Sequence, residues 1–231
     1  MTSWTAMPLA GFDLETTSAD PFTARIVTGC ILRVDGGVAV PRNYLANPGI
    51  PIPAEATAIH GYTDDYVQKH GRPHEQVVSA VACDVRATLD ERRALCIYNA
   101  SYDLSLLATQ EPTFDVGDGL VVDPFVLDKH YDRYRKGSRK LSAVAIHYGV
   151  RLDDAHDAEA DATAAARIVW KMMRRYPELA SFTAAELMQK QTEWYREDAY
   201  RLIDYLRRND RPHENVRTEW PIQRNLEAQA A

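Results

Sequence analysis

In the stretch GFDLETT, residues 11–17, Asp13 and Glu15 stand two apart in an otherwise apolar run. On a strand that spacing puts both carboxylates on one face and Leu14 on the other. Two such charges repel, and each is driven toward its protonated form unless a cation neutralises the pair; hard oxygen ligands select Mg²⁺ or Mn²⁺. Alone, D-x-E equally suits a solvent-facing edge strand. A third acid, Asp103, lies in IYNASYDLSLL, residues 97–107. It falls near a helix start just after a short apolar strand, at the edge where α/β sheets hold ligands. Alone it also reads as an acid favouring the helix dipole, and Asn99 as a cap or a tie to a neighbouring loop. The fourth is Asp161 in HDAEADA, five residues after His156. If both were helical they would point roughly 140° apart, so sharing a site requires one of them to leave the helix. Asp161 is the better anchored of the two, because Ala158, Ala162, Ala164 and Ala165 let its helix approach a sheet closely. His156 then stands on the entering loop, where it can reach a water as general base instead of binding an ion rigidly. In an acidic loop, a solvated surface histidine is the plain alternative.

These side chains need elements to hold them. Strands are expected at MPLAGFDLE, IVTGCILRV and VAVPRNYL, the last two joined by the Asp35-Gly36-Gly37 turn, and shorter ones at ALCIYNA and GLVVD. Helices are expected at about 54–60, 74–90, from about Tyr102, near 124–131 and 141–148, and over DAEADATAAARIVWKMMRRY, which carries acids early and bases late and stops before Pro177. Alternating strands and helices predict an α/β fold with a mixed sheet flanked by helices.

The chain has 231 residues, 45% hydrophobic and 26% charged, with a net charge of −6. That fits a globular domain with a proper core and argues against a generically basic nucleic-acid coat. Acidity does not exclude nucleic acid, since cations can offset a carboxylate site. Cys30, Cys83 and Cys96 are odd in number, lack CxxC spacing and mostly fall in apolar runs, so they read as reduced buried thiols and suggest a cytoplasmic location. Neither a leader-like segment nor a membrane-length apolar run is seen, so no membrane association is expected.

FDLETT at 12–17, IHGYT at 59–63, YNASYD at 98–103 and HDAEADA at 156–162 occur in the order and spacing of the DnaQ-like, or DEDDh, 3′-to-5′ exonucleases, and the chain resembles that family over about residues 8–176. The resemblance implies a ribonuclease H-like fold, with Asp13, Glu15, Asp103 and Asp161 as ligands of two divalent ions and His156 as general base. It further implies release of nucleoside 5′-monophosphates from the free 3′ end of a nucleic acid; the expected substrate is DNA at a single strand or frayed end. Thr16, Thr17 and His60 take positions suited to contacting the terminal nucleotide, and Asn99 is added as a substrate-side residue. Ser18, Tyr98 and Tyr102 depart from residues common in the family.

YDRYRKGSRKL, residues 131–141, interleaves bases with tyrosines. It reads either as a single-strand contact through Arg135 and Lys136 or as a solvated loop. After Pro177 comes a C-terminal extension, residues 177–231, with a helix to about Arg208 carrying a partial stripe of Leu187, Tyr195, Ala199, Leu202, Ile203 and Leu206. That stripe predicts either a helix folded back on the domain or a self-association or partner contact. An exoribonuclease is the runner-up activity. A non-catalytic adaptor on the same fold would be expected to have lost an acid, and none is lost.

Overall fold

A computed structural model describes residues 3–152 and 155–225. Three long strands open it, β1 (Leu9–Thr16), β2 (Ile26–Asp35) and β3 (Val38–Asn47), paired antiparallel in sequence. The turn between the last two uses Gly36 and Gly37 at φ 57° and 84°, which favours glycine. The sheet is completed by β4 (Arg72–Pro73), parallel to β3, and by β5 (Ala94–Cys96) and β6 (Leu120–Val122), which extend it in parallel beyond β1. Its order is β4-β3-β2-β1-β5-β6, a mixed six-stranded sheet with β1 near the centre.

The helices are α1 (Ala54–His60), α2 (Asp64–His70), α3 (His74–Asp90), α4 (Ala100–Gln110), α5 (Pro124–Tyr131), α6 (Leu141–His147), α7 (Ala158–Arg175) and α8 (Ala184–Arg208). Two short pieces, α2 and β4, go beyond the sequence expectation, and α4 starts at Ala100 instead of about Tyr102. The earlier start has a distant cause. Fully buried Asp123 accepts the Asn99 and Ala100 amides at 3.0 and 2.9 Å, capping α4 from the end of β6.

Alternation along β1 divides the core. Phe12 and Leu14 join Ile31 and the Val77, Val81 and Val85 ridge of α3 on one face. Gly11, Asp13 and Glu15 face α7 on the other, where Cys30, Leu32, Ala158 and Ala162 pack together. A Cβ on Gly11 would sit 2.3 Å from the Ala162 carbonyl oxygen, so only glycine lets the helix come this close. The alanine-rich face of α7 and this glycine together lower the helix onto the acid-bearing strand.

Residues 177–225, set apart from 8–176 in the sequence, share the same core; residues 226–231 lie outside the described residues. Leu187 and Trp194 of α8 are buried, and Gln191 bridges the Val121 carbonyl and the Asp123 amide, each at 2.8 Å. Farther along, Trp220 is buried with Nε1 3.4 Å from Asp123 Oδ2, and the Gln223 amide donates to Ser105 Oγ at 2.7 Å. The apolar stripe of α8 is therefore covered by its own domain without a second molecule, except that Leu202, counted in that stripe, is 44% exposed. No described helix is long and apolar enough to cross a membrane. Cys30 and Cys96 are buried as expected, but Cys83, on the outer side of α3, is exposed.

Candidate active site

β5 pairs with β1 only as far as Gly11, so beyond that point the amides of β1 that face away from β2 have no strand partner. Asp103 takes one of them. From the first turn of α4 its Oδ1 accepts the Leu14 amide at 3.1 Å, in a setting where only 3% of the residue is exposed. Asp103 is thereby pinned between Asp13 and Glu15 along the strand. Asp161 arrives from the first turn of α7, whose N-terminus is capped by Asp157 through the Glu159 and Ala160 amides. Four carboxylates from β1, α4 and α7 thus share one spot.

Asp161 Oδ2 accepts the backbone amide of His156 at 3.3 Å, while its Oδ1 is buried with no hydrogen-bond partner. His156 lies outside α7 with φ 72°. Ligand atoms of Glu15, His156 and Asp161 all lie within 4.8 Å of one another. The loop histidine and the helical aspartate therefore meet, with His156 off the helix.

Crowding has an electrostatic signature. Burial, then the charges of Asp161, Asp103 and Asp157, push Glu15 up to about 8. Burial is also the main cause raising Asp161 to about 6, against the His156 amide. Asp13 is driven well above the usual carboxylate range by burial and then by Asp103, Asp161 and Glu15. Burial raises Asp103 likewise, offset in part by the Leu14 amide. A buried unpartnered oxygen, converging hard donors and mutual repulsion together fit a divalent cation.

A second acidic group, Asp128, Asp132 and His147, has ligand atoms equally close. It does not fit a cation, because Arg135 and Arg139 already pair with fully buried Asp128, Arg135 at 2.8 Å. This also corrects the reading of the basic loop. Arg135 turns inward, with 12% of its side chain exposed and a further bond to the Ser138 carbonyl, so it does not face a strand in solvent. Lys136 remains exposed.

The other expected substrate residues divide similarly. His60 ends α1 with Nδ1 accepting the Tyr62 amide at 3.1 Å, leaving Nε2 buried and unpartnered. Burial and nearby His156 hold its ring toward the neutral form. Thr17 is buried, its hydroxyl accepting the Arg25 amide at 3.0 Å, so it ties the β1–β2 loop together. Thr16 donates to the Ser18 carbonyl at 3.0 Å and bonds the Tyr102 hydroxyl, which also reaches that carbonyl. Asn99, at φ 62°, has an exposed side chain that caps nothing.

Gly11 and Asp123 escaped the sequence reading. Glycine inside a strand pattern is a sign of close backbone approach, and Asp followed by Pro124 is a helix-start signature that points to Asp123.

An exonuclease family model, RNase T, matches residues 10–169. The uncharacterized exonuclease CP81 of Escherichia phage 186 is 34% identical over 165 residues, 64% of this chain and 79% of that protein. A PolC-type DNA polymerase III of Streptococcus pneumoniae is 26% identical over 171 residues, 72% of this chain but only 11% of the polymerase. Among solved structures, E. coli exonuclease I with a dT13 oligonucleotide aligns with a TM-score of 0.64 at 18% identity, covering 75% of this chain and 42% of that one. Exonuclease X with 5′-overhanging duplex DNA aligns at 0.57 and 20% identity, covering 76% and 97%. The chain thus spans less than half of exonuclease I, and what these neighbours share with it is the fold. With the family model covering most of its length and the four acids and histidine gathered where β1, α4 and α7 meet, the chain belongs to the RNase T exonuclease family of DnaQ-like, ribonuclease H-like nucleases.

Proposed function

We propose that the chain is a 3′-to-5′ exonuclease that removes nucleoside 5′-monophosphates from DNA, at a single strand or frayed end, with two Mg²⁺ or Mn²⁺ ions. The observation that carries the reading is the convergence of Asp13, Glu15, Asp103 and Asp161 with the buried, unpartnered Asp161 Oδ1. DNA is favoured by relatives and neighbours named for it, the PolC-type DNA polymerase and the exonuclease complexes with dT13, dA16 and overhanging duplex DNA.

Asp13, Glu15, Asp103 and Asp161 would hold the ions, which when bound supply positive charge against the phosphodiester and make a water more acidic. His156 takes the proton of the attacking water as the new P–O bond forms, and the P–O3′ bond breaks, the departing 3′-oxygen taking a proton from solvent to become the fresh 3′-hydroxyl. Its backbone tie to Asp161 leaves the imidazole free for this transfer. His60 and Thr16 border the terminal nucleotide, with buried Thr17 holding the loop behind them and Asn99 exposed on the substrate side; the Nε2–H of neutral His60 is a donor without a protein partner. Lys136 is left for a more distant phosphate.

The test is digestion of matched end-labelled DNA and RNA oligonucleotides, single-stranded and duplex, with Mg²⁺, Mn²⁺ or EDTA. Metal-dependent release of 5′-mononucleotides from the 3′ end of DNA is expected. Release from the 5′ end, endonucleolytic fragments or full activity in EDTA would overturn the reading, and faster cleavage of RNA would transfer it to an exoribonuclease.

A further inference from the structure

The family match ends at residue 169, yet the polypeptide beyond it builds one wall of a cleft beside the carboxylates. The cleft, about 310 Å³, has α4 and α5 on one side, with Asn99, Tyr102, Phe125 and Lys129, and on the other Leu202 of α8 and Arg217 of the tail. It reaches the carboxylates through Tyr102, which precedes Asp103 and bonds Thr16, the residue after Glu15.

The lining mixes cations with rings. Lys129 Nζ lies 4.2 Å from the Phe125 ring centroid, while the Arg217 guanidinium rests 5.2 Å from that of Phe22, which sits on the loop after β1 behind the lining. Tyr102 holds the same loop through the Ser18 carbonyl. Leu202, at 44% exposure, is an apolar surface of the kind a base covers. Flat apolar surfaces alternating with guanidinium and ammonium groups match a single strand, whose bases stack while its phosphates find cations. One acid stands against this. Asp198 pairs with Lys129 at 2.6 Å, but both side chains are about one-third exposed, at 31% and 30%. A phosphate can therefore compete for Lys129.

We infer that this cleft, walled by α8 and the tail, is a subsite for the nucleotides 5′ of the scissile bond in a single-stranded polynucleotide. The inference rests on the proposed exonuclease reading for its direction along the strand. On it, the C-terminal segment lengthens the grip on substrate and takes no part in bond breaking.

The experiment is fluorescence anisotropy with a twelve-nucleotide oligothymidylate in EDTA, using the full chain and its Arg217→Glu, Leu202→Glu and Asp198→Asn variants. Thermal melts verify that each variant folds, Leu202 being exposed and Asp198 and Arg217 half-buried. In parallel, wild-type protein with Mn²⁺ is assayed on the p-nitrophenyl ester of thymidine 5′-monophosphate, too small to reach the cleft. Arg217→Glu and Leu202→Glu should each weaken binding roughly tenfold at low salt, the scale of one or two phosphate contacts. Asp198→Asn should tighten it about two- to threefold by freeing Lys129. Wild-type affinity in both glutamate variants, or no binding by the wild type, overturns the subsite. If the ester is hydrolysed while the variants bind normally, the subsite falls and the exonuclease reading stands; if the variants lose binding but wild type cleaves neither ester nor oligonucleotide, the reverse holds.

Discussion

The backbone amide of His156 and the Oδ2 of Asp161 are 3.3 Å apart, closing a five-residue loop onto the first turn of α7. The left-handed backbone of His156, φ 72°, makes that closure possible and carries the imidazole back over the site. Because the tie is made by the main chain, His156→Ala keeps it and removes only the ring. Turnover should fall roughly 10²–10⁴-fold, the scale of general acid–base catalysis. Affinity for Mn²⁺, read by metal titration of the residual rate and by calorimetry, should stay near wild type. Full rescue of the variant by added metal would make His156 a ligand instead of a base.

Crowded carboxylates make stability depend on pH in an unusual direction. Glu15 is raised to about 8 and Asp161 to about 6, so between roughly pH 4 and those values the folded protein holds more protons than the unfolded chain. Metal-free stability from these groups therefore falls as pH rises through that window. His74, held at about 4 by burial and then by Arg25, contributes the opposite slope below about 6.5. The clean comparison is with Glu15→Gln, which removes one titrating charge. In EDTA its Tm should match wild type near pH 5 and exceed it by at least about 2 °C at pH 8, while hydrolysis is lost at every pH. Adding Mg²⁺ should stabilise wild type more than the variant. A Tm gap in EDTA that does not grow with pH counts against the repulsion.

Gly11→Ala should damage stability and activity together. The new Cβ meets the backbone of Ala162 at 2.3 and 2.9 Å, and a helix backbone cannot swing aside as a side chain can. Overpacking of this kind costs about 1–3 kcal/mol. Displacing α7 also moves Asp161, and a shift near 1 Å can cost about 10²-fold in rate. Urea denaturation and turnover on one preparation measure both; a variant as stable and fast as wild type would mean that α7 sits farther from β1.

Arg135 and Lys136 are neighbours in sequence with separate fates. Arg135→Ala leaves fully buried Asp128 with Arg139 as its remaining cation, and a loss of about 3 kcal/mol is expected. Lys136→Ala, at an exposed site, should change stability by less than about 0.5 kcal/mol while reducing the salt dependence of oligonucleotide binding by about one phosphate contact. Equal stability losses for the two would contradict the inward turn of Arg135.

The parts legible in the sequence were those encoded locally. Alternation in FDLE assigned Asp13 and Glu15 to one face, alanine spacing picked out the packed side of α7, and the wrong interval for a helical pair put His156 on a loop. Longer-range partners were not legible. Arg135 looked free because Asp128, seven residues earlier, gives no sign of burial in a charged segment. The start of α4 came out late because its cap, Asp123, is over twenty residues downstream, and Gln191 and Trp220 converge on Asp123 from sequence farther still. Periodicity marked α8 as amphipathic but could not say that Gln191 and Trp194 would anchor it while Leu202 stayed in solvent.

The pinning of Asp103 by the Leu14 amide joins residues 89 positions apart. Asp161 comes from still later in the chain, so the four carboxylates meet only after β1, α4 and α7 have all docked. Such non-local contacts form late and are lost early when a domain opens. A half-synthesised or partly unfolded copy holds at most fragments of the acidic cluster. For a protein whose proposed chemistry would harm nucleic acid indiscriminately, dispersal of the ligands along the chain ties cutting power to completed folding, so damaged molecules fall silent before they are cleared.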